Sequence, residues 1–151
     1  MKTSFPPTLI AMLAIAAIPV HAEECKPVHA DLVEVFSTEG CNPGLTSCYL
    51  GVVDGNHGLR GTTHFRGNSS GTAPSGAPDA LPYAGPFEYR TASGNLLMRE
   101  AGIVPPGVVT AYQKILEGTG EFAGATGYFF VSGTRAGGVI TTKVAGEICL
   151  P

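Results

Sequence analysis

Beyond Ala22, glycine and proline interrupt nearly every window of the chain, which carries 21 Gly and 12 Pro in 151 residues. Each interior Gly costs a helix about 1 kcal/mol relative to Ala, and each Pro about 3 kcal/mol, so this punctuation rules out long helices. Between the breaks, apolar residues alternate with polar ones at period two, the pattern of half-buried strands. Eight strands are expected: Asp31–Ser37, Cys48–Val53, Leu59–Arg66, Phe87–Ala92, Leu96–Glu100, Val108–Glu117, Thr126–Thr134 and Val139–Cys149. Short links such as Asp54-Gly55-Asn56-His57-Gly58, Ser93-Gly94-Asn95 and Arg135-Ala136-Gly137-Gly138 read as hairpin turns, because Gly and Asn tolerate positive φ. The one long link, Gly67–Pro86, reads as a surface loop rather than an ordered lid.

An all-β chain with meander-like spacing suits an eight-stranded antiparallel up-and-down β-barrel, which has no open edge and can enclose a small ligand. A two-sheet sandwich is the competing arrangement. Sidedness is clearest in the last strand, where Ile140, Val144 and Ile148 alternate with Thr141, Lys143 and Glu147, and where Thr142 and Gly146 fall on the inner face.

The N-terminus has a Lys at position 2, an apolar run from Leu9 to Ile18 and a small-residue site at Val20-His21-Ala22. This is the pattern of a secretory signal peptide over 1–22, cut after Ala22. The apolar run is half of what a membrane-spanning helix needs, so no membrane anchor is expected after cleavage. A lipid anchor would need Cys directly at the cut, whereas Cys25 follows Glu23 and Glu24. Removing 22 of 151 residues leaves 129, enough for a single barrel domain over 23–151. Nine basic residues less Lys2 leaves eight against twelve acidic ones, a net charge of −4 with no basic stripe, which argues against nucleic acid.

All four cysteines lie in the exported part, where thiols are oxidised. Four cysteines allow three pairings. The favoured one joins Cys41 to Cys48 across a short Asn-Pro-Gly loop and Cys25 to Cys149 at the two ends of the domain, the ends that barrel closure would bring together. Paired Cys-x-x-Cys or Cys/His spacing is absent, so a zinc site is not expected. Asp54, His57 and His64 bracket one turn, where Asp is ordinary turn chemistry and no metal is needed to explain it.

Gly118–Gly127, GTGEFAGATG, has the look of a phosphate loop. A phosphate loop needs a helix after the glycines, but Tyr128-Phe129-Phe130-Val131 follows and favours a strand. No cofactor is expected. The better reading is a structural corner in which Gly118, Gly120, Gly124 and Gly127 let the chain fold back sharply and Phe122 plugs one end of the barrel.

The run Phe87–Gly127, with Gly118, Gly120, Phe122, Gly124, Ala125 and Gly127 at its end, resembles the allene oxide cyclase-like barrel family, whose wider relatives include the dirigent proteins. The resemblance is fairly specific over Phe87–Cys149 and loose over His29–Arg66. It implies an eight-stranded barrel with an apolar interior that guides cyclisation or coupling of reactive hydrophobic intermediates. The early Pro-Phe-Thr-Asn-rich segment of the plant cyclases has no counterpart here, so fatty-epoxide cyclisation does not carry over.

Few residues carry chemical promise. Glu34 lies between Leu32 and Phe36 on one face of the first strand. Facing inward it would be a desolvated carboxylate able to act as acid or base; with Val33 and Val35 inward instead, it would sit in water. Gln113 shares a face with Val109, Ala111 and Ile115, and could bind a ligand or make a structural hydrogen bond. Tyr128 and Phe130 share one face, Phe129 and Val131 the other, and Tyr128 with Phe130 is taken as the ligand-binding pair. Arg90, Arg99, Glu88 and Glu100 read as cross-strand charge pairs on an outer face. Asn68-Ser69-Ser70 fits a glycosylation sequon, unused if the Lys-led leader is of bacterial type. No Gly-x-Ser-x-Gly nucleophile elbow occurs.

The expected function is a secreted or periplasmic barrel binding a hydrophobic small molecule in its interior and guiding a cyclisation or isomerisation. The alternative is a non-catalytic ligand-binding or structural protein of the periplasm or extracellular space. Whether it forms a homo-oligomer stays open.

Overall fold

A computed structural model describes residues 24–41 and 47–151; the expected signal peptide lies outside them. Nine strands form one antiparallel sheet: β1 (Glu24–Phe36), β2 (Cys48–Gly55), β3 (Arg60–Arg66), β4 (Ser69–Ser70), β5 (Leu81–Thr91), β6 (Gly94–Val104), β7 (Val108–Gly118), β8 (Thr126–Ala136) and β9 (Val139–Leu150). Except for β3 and β4, each strand pairs with the next in sequence, β9 returns to β1, and β3 pairs with β5 to close the circle. The result is an eight-stranded up-and-down barrel with the two-residue β4 appended to β5, and the sandwich alternative falls away.

All eight expected strands are present, several longer than read. β1 starts seven residues early because its first part pairs with β9 alone; Pro27, which cannot donate, is tolerated where only one neighbour exists. β5 starts at Leu81, not Phe87, despite Pro82 and Pro86. Its early half has β6 on one side and only β4 on the other, so the missing N–H groups break no continuous ladder. The expected Gly67–Pro86 loop is therefore partly sheet, with Leu81–Pro86 in β5 and Ser69–Ser70 paired back onto Tyr83 and Ala84.

Both disulfides join the expected partners, Cys25 to Cys149 and Cys41 to Cys48, which accords with an oxidising compartment. Cys25 and Cys149 are register partners across the β1–β9 seam, so the bridge bolts the barrel where its ends meet. Among the described residues no helix is long and apolar enough to cross a membrane.

The two ends of the barrel differ. At one end, the corner after β7 makes a single 3-10 turn, Gly120–Phe122, that buries Phe122 in the core. Gly120 has φ +61°, and the turn is tied to the β5–β6 hairpin by Glu121 N–H donating to Ser93 O (2.7 Å). A strand, β8, follows the corner, not the helix a phosphate loop would require. Leu32, Val53, Leu96, Met98, Phe129 and Ile148 fill this half solidly. The other end, ringed by the β1–β2, β3–β5, β6–β7 and β8–β9 links, is open.

Candidate functional site

The open half encloses a cavity of about 350 Å3. Its walls are apolar and aromatic: Tyr49 from β2, Phe65 from β3, Tyr83 from β5, Val109 from β7, Val131 from β8 and Ile140 from β9. Two carboxylates face into it, Glu34 from β1 and Glu100 from β6, each about 95% buried.

Alternation explains both placements. On β1, Val28, Ala30, Leu32 and Glu34 are buried while Val33 and Val35 are exposed, so Glu34 follows the inward set. Phe36, expected on the same face, is 58% exposed at the strand's end. Room for the Glu34 side chain comes from Gly51, its register partner on β2, where a Cβ would stand only 2.7 Å from Glu34 Cγ. On β6, Leu96, Met98 and Glu100 are the inward set. Glu100 was expected in an outer-face charge pair; the structure corrects this, and only Arg90 and Glu88 make such a pair, along β5 at 2.6 Å.

The carboxylates have opposite surroundings. Glu100 accepts from Tyr83 Oη on Oε1 (2.9 Å) and from Gln113 Nε2 on Oε2 (2.5 Å). Gln113 Oε1 in turn accepts from Tyr89 Oη (2.6 Å). The expected inward position of Gln113 is thus observed, with its amide committed to a four-residue chain. Glu34 Oε1 is buried without a hydrogen-bond partner, as are Thr63 Oγ1 and Thr142 Oγ1. Both threonines are on the inner face: Thr63 on β3 is the register partner of Gly51, and Thr142 on β9 is the partner of Leu32, two residues along from Ile140 opposite Glu34.

Burial, with the Glu100 charge second, raises the Glu34 pKa to about 8. Burial also raises Glu100, but the Gln113 and Tyr83 hydrogen bonds pull against it, leaving about 7. Burial and the same carboxylate push the Tyr83 and Tyr89 phenols upward, keeping both as donors. The donors from Tyr83 and Gln113 favour the carboxylate form of Glu100, and Glu34 Oε1 has none, so Glu34 is the more readily protonated of the two and Glu100 the readier acceptor, a division of labour suited to moving one proton across a bound molecule.

Tyr128 and Phe130, taken above as the ligand-binding pair, face outward. They form an outer-face aromatic cluster with Tyr112, with ring centroids 5.5–6.0 Å apart, and Phe130 is 56% exposed. Phe129 and Val131 face in, Val131 onto the cavity. Parity carried further along β8 points the same way, since Ser132 and Thr134 share the face of Tyr128 and Phe130. Parity with Leu96 and Met98 would likewise have found Glu100. Tyr83 was hidden inside the link read as a loop, and Arg135, at the rim with its guanidinium 5.9 Å from the Tyr49 ring centroid, inside a turn.

Asp54, His57 and His64 do not converge: Asp54 pairs with Arg60 at 2.7 Å, His57 is exposed, and His64 is buried against Cys48 Sγ (3.5 Å). Burial, with Arg66 and Arg90 beside it, lowers the His64 pKa. Among the described residues the cluster nearest to a metal-ligand set is Cys41, Cys48 and His64, whose two sulfurs are already joined to each other. Asn68 of the sequon is exposed beside β4.

No model of a known protein family matches the chain, and no curated protein matches it either.

Proposed function

We propose that the protein is an exported small barrel that takes a hydrophobic small molecule into its open half and steers an acid–base step on it, a cyclisation or an isomerisation. The observation that carries this reading is the pair of buried carboxylates, Glu34 and Glu100, on the wall of an otherwise apolar 350 Å3 cavity. Such a cavity is of the size that holds a small ligand, and perturbed acids inside a cleft are the usual mark of a working site. Export is supported by the leader pattern and by the two disulfides. The resemblance of Phe87–Gly127 to allene oxide cyclase-like barrels points the same way and belongs to the proposal.

Catalysis here would rest on shape and proton placement. The aromatic wall folds the substrate into a reactive conformer, Glu34 gives a proton and Glu100 takes one. A carrier without chemistry is the second reading, favoured by the full hydrogen-bonding of Glu100, which suits a static wall as well as a base.

Fluorescence of the neutral probe N-phenyl-1-naphthylamine tests occupancy. Binding should brighten it, and Val131→Trp, which fills the cavity, should abolish the signal in a protein that still melts cooperatively. Unchanged fluorescence with wild-type protein would defeat the reading. Mass spectrometry of material extracted from the purified protein separates the two versions: release of a ligand and its isomer supports catalysis, and a single unchanged compound supports carriage.

A further inference from the structure

The cavity wall holds two buried acids and no buried basic side chain among the described residues. Among the described residues the four ion pairs, Lys26–Glu24, Arg60–Asp54, Arg90–Glu88 and Lys143–Asp31, each have at least one solvent-exposed partner, and none includes Glu34 or Glu100. Arg135, the one cation lining the cavity, is exposed at the rim and turned over Tyr49. Among the described residues the buried polar atoms without partners are three inner-face oxygens, Glu34 Oε1, Thr63 Oγ1 and Thr142 Oγ1, and Arg66 Nε, which strand alternation puts on the outer face of β3 with His64. Two of these side chains flank one spot, since a Cβ on Gly51 would lie 2.5 Å from Thr63 Oγ1 and 2.7 Å from Glu34 Cγ. Aromatic rings from Tyr49, Phe65 and Tyr83 line the space above.

We infer that the cavity takes a lipophilic amine, with its nitrogen seated against Glu34 and its apolar body along the aromatic wall. The inference rests on the ligand-binding half of the proposed function and names its ligand class. A carboxylate ligand would bring a third acid into an apolar space. A neutral alcohol or ketone can meet Glu34 but leaves the acids without an opposite charge. An ammonium group offers three donors to a site whose unpartnered atoms are acceptors, and it is attracted by the faces of aromatic rings.

The proton balance closes within the pair. An amine entering as free base takes the proton of Glu34: the carboxyl O–H breaks, an N–H forms, and a neutral acid and neutral base become an ammonium carboxylate. An aliphatic ammonium group has a pKa of about 10.4, above the value of about 8 to which burial raises Glu34, so the transfer runs toward the amine.

Below pH 8 the free amine is already an ammonium ion and Glu34 carries its own proton, so binding releases about one proton and affinity climbs about tenfold per pH unit. Above the pKa of the amine it falls again. The titratable or charged groups facing Glu34 from the other elements are Tyr49 on β2, Tyr83 on β5, Glu100 on β6 and Arg135 on β8. Glu100 titrates in the same window and in the same sense, which steepens the climb.

Isothermal titration of the disulfide-bonded protein with 4-phenylbutylamine, 4-phenylbutanol and 4-phenylbutanoate compares three head groups on one apolar body. At pH 8 the amine should bind at least about tenfold more tightly than the alcohol, and the carboxylate most weakly. Between pH 6 and pH 7, titrations in buffers of different ionisation enthalpy should show release of about one proton per amine bound. Glu34→Gln should bring the amine down to the level of the alcohol. Equal or tighter binding of the alcohol or the carboxylate at pH 8, or an amine preference that survives Glu34→Gln, would overturn the amine assignment while leaving a ligand-binding barrel. Binding of none of the three would overturn the assignment together with the ligand-binding reading beneath it.

Discussion

Glu100 and Glu34 face the same cavity from opposite kinds of wall. Around Glu100, Tyr83, Gln113 and Tyr89 form a closed chain of hydrogen bonds in which every member has a partner. On the Glu34 side, the carboxyl Oε1 and the hydroxyls of Thr63 and Thr142 are as deeply buried and have none. A buried polar group is tolerable when bonded and costly when not. The difference makes the Glu100 side a wall that supports the fold as well as supplying the proposed proton acceptor, and leaves the Glu34 side as a place where stability is given up, the usual condition of a binding site. Substitutions of similar chemistry on the two sides should therefore have opposite signs.

The sharpest contrast is truncation. Glu100→Ala removes a buried side chain and leaves the Tyr83 hydroxyl and the Gln113 amide with unmet donors, which should cost about 3–5 kcal/mol of unfolding free energy. Glu34→Ala opens onto an existing cavity, orphans nothing and should change stability by no more than about 1 kcal/mol. Urea unfolding at pH 4, where both acids are protonated in the folded protein and neither has lost stability to ionisation, measures both. Equal losses would erase the distinction between the walls.

Next comes the pH dependence of Glu34. Its folded pKa of about 8 lies above the unfolded value of about 4.3, so between those values the folded protein holds the extra proton and stability falls as pH rises. The stabilising contribution of the neutral acid is complete below the unfolded pKa and gone once pH passes 8. Glu34→Gln should remove that slope, making the variant more stable than wild type by about 2–4 kcal/mol at pH 9 and nearly equal at pH 4. Glu100, raised to about 7, adds a slope of the same sign over a narrower pH range, and it survives in the variant. Parallel stability curves for the two proteins from pH 4 to pH 9 would place Glu34 in water, against the structure.

The two walls also differed in how legible they were. Strand periodicity marked all eight barrel strands, and the inward residues of β9 were readable because Thr141, Lys143 and Glu147 alternate with Ile140, Val144 and Ile148. Glu34 was ambiguous because β1 is apolar on both sides of it, with Leu32 in and Val33 and Val35 out. On β8, four consecutive apolar residues, Tyr128 to Val131, hid the sidedness in the same way. Glu100 was legible in principle from Leu96 and Met98, but a charged residue beside Arg99 reads as surface. Tyr83 could not be reached by local pattern, since Pro82 and Pro86 read as loop until the pairing with β6 is known. What links these misses is that the bonded wall is assembled from three strands, and none of its hydrogen bonds spans fewer than 13 residues of sequence.

Within the bonded wall, Tyr89→Phe tests whether the chain acts as a unit. Tyr89 is fully buried and its hydroxyl serves Gln113 Oε1 alone among the described hydrogen bonds. Losing it strands one carbonyl oxygen and should cost about 1–2 kcal/mol. If the chain is coupled, Tyr89→Phe and Glu100→Gln together should cost less than the sum of the two, by about 0.5 kcal/mol or more in a double-mutant cycle. Strict additivity would make the four residues separate contacts that happen to touch.

The smallest expected effect is on the unbonded wall and has the opposite sign. Thr142 is 3% exposed on the inner face of β9, with its hydroxyl unpartnered. Valine has nearly the same shape and suits a strand, so Thr142→Val replaces an unmet polar group by a methyl and should raise stability by about 0.5–1 kcal/mol. The same change removes an inner-face acceptor two residues along β9 from Ile140, the register partner of Glu34, so the affinity for 4-phenylbutylamine should fall modestly, by about two- to fivefold, while the affinity for 4-phenylbutanoate should not fall. Stability and binding moving in opposite directions is the signature expected of a residue retained for a ligand. A loss of stability of 1 kcal/mol or more would show that the hydroxyl is bonded in solution, and the contrast between the two walls would then narrow to Glu34 alone.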